Sequence, residues 1–354
     1  MYYATQDIWT WWLAIYLFFG GMGAASVSVT CLTDMYLKPH RELVLWGNLS
    51  GFVMLSLGSS LLFIHLLHHT AVINVLNPMV LLRKPDAWIA WGTQFITWMM
   101  IWSLVYSLPY LRQTKLFMEM PLVGKILDWG PVIWLANLAS RFHKPIGWLA
   151  TINGVGTVVY TGLLLQSFPA VALWHNPGVP VLFTISGFST SLAFLLLILV
   201  LVIRDEAATH KIKIFYERAD VILIAAELVV IFSFFQYMKQ GSESARHSAT
   251  LLWTNMGWLV GFLIFGLIVP LLIELKGVVK GWRGHGAIAV AASLVLCGGY
   301  LLRYYMLEAG VYERPYPPHG YSSYRDPPSG AADRTTVLVP IENRQVLTAK
   351  HGDG

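Results

Sequence analysis

Apolar blocks of about twenty residues or more, parted by polar breaks, recur along this chain from about residue 10 to about residue 307. One α-helix needs about 20 residues to cross the hydrocarbon core of a bilayer. The pattern predicts eight membrane-spanning helices, at 10–36, 44–66, 88–111, 147–168, 179–203, 219–238, 252–275 and 287–307. The strands of an outer-membrane barrel would instead alternate apolar and polar residues over about ten positions. The expected fold is therefore all-α, a polytopic membrane helix bundle. The first nine residues carry no Lys or Arg, and the first apolar run is too long for a signal-peptide core, so span one is expected to stay in the membrane.

Composition narrows the class further. The 354 residues are 56% hydrophobic and only 12% charged, with mean hydropathy +0.58. A soluble domain carries about 25% charged residues. A soluble globular enzyme and a disordered chain are both excluded. The two cysteines, Cys31 and Cys297, are too few for a four-thiolate iron–sulfur cluster or a disulfide framework. The net charge of +5 does not point to nucleic acid, because the basic residues flank the spans.

Those basic residues set the orientation. With the N-terminus outside, the inner loops hold fourteen Lys and Arg, and the outer loops hold four: Arg83, Lys84, Lys239 and Arg246. Positive charge favours the inner side, so both termini are expected outside. Trp and Tyr residues such as Trp9, Trp88, Trp253 and Tyr304 stand at span ends, as in an interfacial belt. The long inner loop after span three contains 122–138, which reads as an amphipathic surface helix. Residues 1–308 form the expected membrane domain. The segment 309–354 is rich in Pro and Tyr at 314–318 and 324–330, has a β-like run at 335–340, and cannot build a core alone. It reads as an extended outer-side arm ordered against a partner subunit, with a loose tail as the alternative.

Polar residues inside the spans are the candidates for chemistry. Glu227 lies near the middle of span six and is the one carboxylate placed deep in the hydrocarbon, where desolvation penalises the charged form. Asp220, seven residues earlier, shares its helical face at the inner end. Together they read as a proton relay, or as a structural acid holding two helices together. On span four, Asn153, Gly156, Thr157 and Tyr160 fall on one side. The Tyr160 phenol suits a quinone carbonyl as donor or acceptor, although a tyrosine there also serves to pack or cap a neighbouring helix. His65, His68 and His69 share a face at the outer end of span two, suited to passing a proton; wetted interfacial histidines or a metal site are the alternatives. Tyr16, Gln94, Gln166, Ser186, Ser189 and Arg303 add to a polar outer half that would suit a lipid-soluble ligand with a polar head. Of the eleven histidines only His65 clearly falls within a span, which argues against a two-haem cytochrome b bundle.

Several segments in order resemble the NrfD-like membrane subunits of the polysulfide-reductase type. They are Phe19-Gly20-Gly21-Met22-Gly23-Ala24 after a Trp-rich start, Tyr160-Thr161-Gly162-Leu163-Leu164, Pro180-Val181-Leu182-Phe183 with Ser189-Thr190, and Leu302-Arg303-Tyr304. The likeness covers the eight spans but not the tail. It implies a multi-pass anchor in a bacterial or archaeal cytoplasmic membrane, without haem or iron–sulfur cluster of its own. Such a subunit exchanges electrons between menaquinone or ubiquinone, bound in the outer half of the bundle, and a ferredoxin-like multi-cluster iron–sulfur subunit on the outer face. Beyond that partner, the resemblance implies a molybdenum or tungsten pterin subunit, a hydrogenase or a multihaem cytochrome. The family tyrosine of span four matches Tyr160 and its acidic residue in span six matches Glu227. Some relatives carry a carboxylate within span two; this chain has none there, and His65 would stand in. Tyr160 and His65 are then the candidates for the quinone oxygens, Trp12, Tyr16 and Gln94 for the rest of the site, and Glu227 with Asp220 for protons. A secondary transporter and a purely structural anchor are the rival readings; no repeat between the two halves supports the first.

Overall fold

In a computed structural model of the protein, the described residues are 9, 11–39, 41–64, 76–203, 206–280 and 284–312. Apart from one isolated bridge between Val171 and Tyr312, their regular structure is helical. Helices are the expected solution, because a helix satisfies its own backbone donors and acceptors where no water can. The long ones are α1 (Trp11–Leu37) and α2 (Arg41–Ile64). After the short α3 (Met79–Arg83) comes α4 (Trp88–Gln113). Three short helices follow: α5 (Lys115–Met118), α6 (Pro121–Leu127) and α7 (Gly130–Arg141). Next are α8 (His143–Gln166), α9 (Gly178–Leu197) with a π-helical end at Ile198–Ile203, α10 (Glu206–Gln240) and α11 (Glu243–Thr254). A π-helical segment, Gly257–Ile268, leads into α12 (Val269–Lys280), and α13 (His285–Glu308) closes the bundle.

Among the described residues, seven helices are long and apolar enough to cross a membrane: α1, α2, α8, α9 with its π-helical end, α10, the Gly257 segment with α12, and α13. The remaining expected span, α4, is 26 residues long, about 39 Å at 1.5 Å per residue. Its Trp, Tyr, Thr and Gln residues lower its hydropathy, and it falls outside those seven.

Two expectations change in detail. The helix of span six extends well before 219: α10 begins at Glu206 and runs 35 residues. Its first turns are rich in Ala, Glu, Lys and Arg, good helix formers that carry the helix on where the apolar pattern stops. The span expected at 252–275 is broken. Residues 252–254 belong to α11, and Asn255 then uses its side-chain oxygen to accept from the Gly257 and Trp258 amides at 2.8 and 3.3 Å. An Asn that satisfies free amides in this way starts a new helical segment.

The bundle is assembled around α1, which packs against α2, α8, α9 and α13. Its run of Gly, Ala and Ser lets neighbouring backbones come close. At Gly23 a Cβ would lie 2.8 Å from the Gly51 carbonyl oxygen of α2, so only glycine permits this crossing. At one end of the bundle Trp9 stacks on Trp174 at 5.2 Å, with the Phe168 ring edge-on to both. The Trp174 indole donates to the Met306 carbonyl at 2.7 Å, and Val311 is fully buried, so the polypeptide stays packed through Tyr312. The arm from 313 onward, and His65, His68 and His69, lie outside the described residues.

The end of the bundle that holds the C-terminus of α1 is tied by a cluster the span reading does not foresee. Asp34 Oδ2 accepts hydrogen bonds from the Tyr106 and Tyr110 hydroxyls, both at 2.6 Å, and pairs with His143 Nε2 at 2.9 Å. One oxygen thereby joins α1, α4 and α8. Replacing Asp34 by Ala would strand those donors at about 1–3 kcal/mol each where they stay buried. We expect a clear fall in the thermal midpoint of the purified protein in detergent. Asp34→Asn keeps a carbonyl acceptor and should cost less. An Asp34→Ala variant that melts with the wild type would remove the cluster as a tie between helices.

Candidate functional site

Two polar centres stand inside the apolar bundle. The first is a pair of phenols. Tyr16 of α1 and Tyr160 of α8 are 1% and 2% exposed, and their hydroxyls hydrogen-bond one another. Tyr160 can stand there because α4 offers Gly92: a Cβ at that position would fall within the Tyr160 ring. Trp12 lies one helical turn before Tyr16 and, with Leu62 and Ile96, packs half-buried against the apolar core that contains both tyrosines. A phenol both gives and accepts a hydrogen bond, so the pair offers a linked donor and acceptor in a dry setting.

Gln94 is set apart from this pair. It lies about 200° around α4 from Gly92, and its amide donates to the Leu76 carbonyl at 2.8 Å. His65, the other group expected here, is among the undescribed residues.

The second centre is built on Arg303 of α13, which is fully buried. Its Nε donates to the Leu17 carbonyl at 3.3 Å, and its Nη1 donates to the Gly299 carbonyl at 2.6 Å and to Ser186 Oγ at 3.3 Å. The guanidinium carbon lies 5.7 Å from the Phe18 ring centre and 5.3 Å from that of Phe183. The Glu227 carboxyl lies close enough to interact electrostatically with the guanidinium, and the Ser186 hydroxyl also hydrogen-bonds it. Ser186 thus stands between guanidinium and carboxyl. Arg303 Nη2 and Glu227 Oε1 are buried polar atoms without a hydrogen-bond partner among the described residues.

Three residues along α9 from Ser186, Ser189 donates to Asp220 Oδ1 at 2.6 Å. Glu274 of α12 lies beside Asp220, and among the described residues neither Glu274 oxygen nor Asp220 Oδ2 has a hydrogen-bond partner. A small cavity adjoins Glu274 and Glu217, lined also by Leu196, Gly277 and Ala291. The line of polar groups therefore runs from Arg303 and Glu227 through Ser186 and Ser189 to Asp220, Glu274 and this cavity.

The two centres adjoin. Arg303 bonds the carbonyl of Leu17, next to Tyr16. A Cβ added to Gly21 would lie 3.3 Å from Arg303 Nη2 and 3.9 Å from the hydroxyl of Thr161, next to Tyr160.

Tyr16, Tyr160, Glu227 and Asp220 are candidates from the sequence, and the structure gives each of them a buried polar partner. Within the protein Glu227 is not alone as a buried acid: Glu217, Asp220 and Glu274 are 2%, 0% and 5% exposed. Asp220 is not at a helix end, because α10 starts fourteen residues before it. Arg303 and Ser186 are partners of Glu227 rather than members of a diffuse outer polar rim. Glu274 has no place among the sequence candidates; a lone acid before Leu-Lys-Gly, closing an apolar run, is the signal that could have found it. Among the described residues, no three His, Cys, Asp or Glu side chains converge to hold a metal ion.

Comparison with known proteins places these features in a lineage. The family described as polysulphide reductase, NrfD, matches residues 3–313. The protein NrfD of Escherichia coli K12 is 26% identical over 325 residues, covering 86% of this chain and 95% of that protein. An NrfD homolog of Haemophilus influenzae is 23% identical, covering 86% and 94%. One of the polysulfide reductase chains of Wolinella succinogenes is also 23% identical, with the same coverage.

The second centre yields a stability prediction. Removing one of two interacting buried ionisable groups leaves the other without its partner, at about 3–5 kcal/mol where both are charged, whereas replacing both by apolar residues costs far less. Arg303→Met or Glu227→Leu alone should therefore lower the melting midpoint in detergent more than the double variant does. Additive losses in the double variant would mean that the two groups do not compensate one another.

Proposed function

The chain belongs to the polysulphide reductase NrfD family, and from that premise we propose that it is the quinone-reactive, haem-free membrane anchor of a respiratory oxidoreductase complex. In this reading it has eight spans, α4 included, in a bacterial or archaeal cytoplasmic membrane, with both termini outside. It exchanges electrons between menaquinone or ubiquinone and an outer-face iron–sulfur subunit of ferredoxin-like, multi-cluster type. The arm at 309–354 contacts a partner subunit. The terminal chemistry then belongs to another protein, a molybdenum or tungsten pterin subunit, a hydrogenase or a multihaem cytochrome. Support comes from the near full-length match to a protein whose name makes it one part of a polysulfide reductase.

The observation that carries the site is the buried pair of phenols, Tyr16 and Tyr160, joined by a hydrogen bond in an apolar setting. These residues fit the polar head of a quinone: Gly92 leaves Tyr160 its space, and the surrounding core is apolar. A bound quinone supplies two-electron, two-proton redox chemistry. Tyr160 offers a hydrogen bond and a proton at its hydroxyl oxygen. Tyr16 holds that hydroxyl in position and can return the proton. Trp12 supplies an aromatic wall, and His65 is the second group assigned to a quinone oxygen, with Gln94 at the periphery. Glu227 and Asp220 hold protons along the second centre. The hydroxyls of Ser186 and Ser189, which bond them, give that path its continuity.

Quinol oxidation by the purified, cofactor-loaded complex tests this. A positioned acid–base group contributes about 100-fold or more to turnover. Tyr160→Phe should therefore lose turnover on that order at unchanged assembly, while electron transfer from the partner to a soluble dye persists. Unchanged quinol turnover would take Tyr160 out of the site. No quinone activity in an intact wild-type complex, with several quinones, would leave a purely structural anchor or a transporter.

A further inference from the structure

The stretch between α4 and α8 folds as a foot, and its outward face is of the wrong character for water. Its inner face is anchored: Leu127 packs with Leu45 and Leu111, with Val123 and Val132 against them. Ala136 and Ala139 of α7 are buried, and α7 packs on α4. Gly124 fits closely, since a Cβ there would run into the Met118 carbonyl oxygen. The foot is therefore a docked element rather than a loose loop.

Its outer face carries Leu122, Ile126 and Trp129, spaced i, i+4, i+7 on one side of α6 and the turn that follows. They are 72%, 53% and 64% exposed, and Trp134 of α7 is 65% exposed. Four large apolar groups within thirteen residues form a patch that calls for a cover. The exposed apolar surface continues directly onto the outward side of α8, at Trp148, Leu149 and Ile152, which faces lipid if α8 crosses the membrane. In the eight-span reading the foot lies at the inner membrane surface, the level that indole rings prefer.

Charge points the same way. Lys115, Lys125, Arg141 and Lys144 are exposed on and beside the foot, against two exposed acids, Glu119 and Asp128. Lys125 sits within the apolar stripe itself, one turn from Leu122 and Trp129. Its stem can lie along the apolar side chains while its ammonium reaches outward. Trp134 and Arg141 share a face of α7, and the Arg141 guanidinium lies 5.9 Å from the Phe142 ring centre.

We infer that the α6–α7 foot is a binding site for anionic phospholipid. Trp129, Trp134, Leu122 and Ile126 insert among headgroups and upper acyl chains. Lys125, Arg141 and Lys144 take the phosphate and any further negative group of the lipid. Each cation near an anionic surface contributes roughly 1 kcal/mol, so three removed together should weaken binding on the order of 100-fold.

The test uses the full-length protein in its complex. Native mass spectrometry in detergent titrates phosphatidylglycerol, with phosphatidylcholine for comparison. Wild type should retain phosphatidylglycerol selectively. The variant Lys125→Gln/Arg141→Gln/Lys144→Gln should lose that retention by about two orders of magnitude. A control at the opposite end of the bundle, Lys239→Gln/Arg246→Gln, should keep it. Equal retention by the foot variant, equal loss in the control, or equal binding of phosphatidylcholine would each overturn the proposal. A second readout isolates the indoles by subtracting the fluorescence of Trp129→Phe/Trp134→Phe from that of wild type in nanodiscs. The difference signal should be quenched by lipids brominated high on the acyl chain. Quenching by aqueous iodide instead would place the foot in water. Protection from both quenchers would mean that a protein covers it, and either result overturns the lipid assignment.

Discussion

The arrangement of this bundle turns on the burial of one guanidinium. Moving a cation out of water costs several kcal/mol even after the surroundings relax. Arg303 has no exposure at all, so its neighbours have to supply what water would. They come from four helices: the Leu17 carbonyl of α1, Ser186 of α9, Glu227 of α10 and the Gly299 carbonyl of its own α13. Phe18 and Phe183 add their ring faces. Meeting these demands together fixes how α13, α9 and α10 sit around α1. Gly21 keeps α1 open beside Nη2, where a Cβ would press within 3.3 Å.

The central helix then carries polar stations near both ends. Tyr16 and Asp34 are eighteen residues apart, about 27 Å along the axis. Between them the polar groups of α1 turn partly outward, Thr33 meeting the Tyr216 hydroxyl at 2.8 Å and Cys31 donating to Asn48 Oδ1 at 3.6 Å, and partly to their own backbone. Ser26 and Ser28 donate to carbonyls one turn back in their own helix, at 2.8 and 3.0 Å, and Ser28 also reaches the Thr151 carbonyl at 3.3 Å. Small hydroxyl residues in membrane helices commonly settle their bonds this way. The stretch around Gly23 is left to packing, and the close crossing at Gly23 and Gly51 uses it.

Much of the helical order is legible in the sequence because hydropathy and bilayer thickness constrain each other directly. Candidate residues are legible one at a time, since a Glu227 or a Tyr160 stands out in an apolar run. Partnerships are not. Arg303 and Leu17 are 286 residues apart, and His143 and Asp34 are 109 apart; neither pairing leaves a trace in local periodicity. The start of α10 is hidden for a different reason. Its first turns are charged and hold their helix by propensity, whereas the apolar pattern reports only the part inside lipid. A boundary drawn from that pattern puts Asp220 at a helix end and obscures its meeting with Ser189 and Glu274.

The two polar centres share the same stretches of backbone, and this bears on the proposed function. Tyr16 is followed by Leu17, whose carbonyl holds Arg303; Tyr160 is followed by Thr161, which lies beside Gly21 and the same guanidinium. A displacement of Tyr16 therefore moves an atom that compensates a buried charge, and Tyr160 is hydrogen-bonded to Tyr16. In a low-dielectric interior a small change in the distance of a charge from its partners alters its energy strongly. Occupancy or protonation at the phenol pair then has a physical route to the Arg303–Glu227 pair, and through Ser186 and Ser189 to Asp220. Rigid packing around α1 strengthens this argument, because a close-packed bundle offers few ways to absorb such a displacement locally.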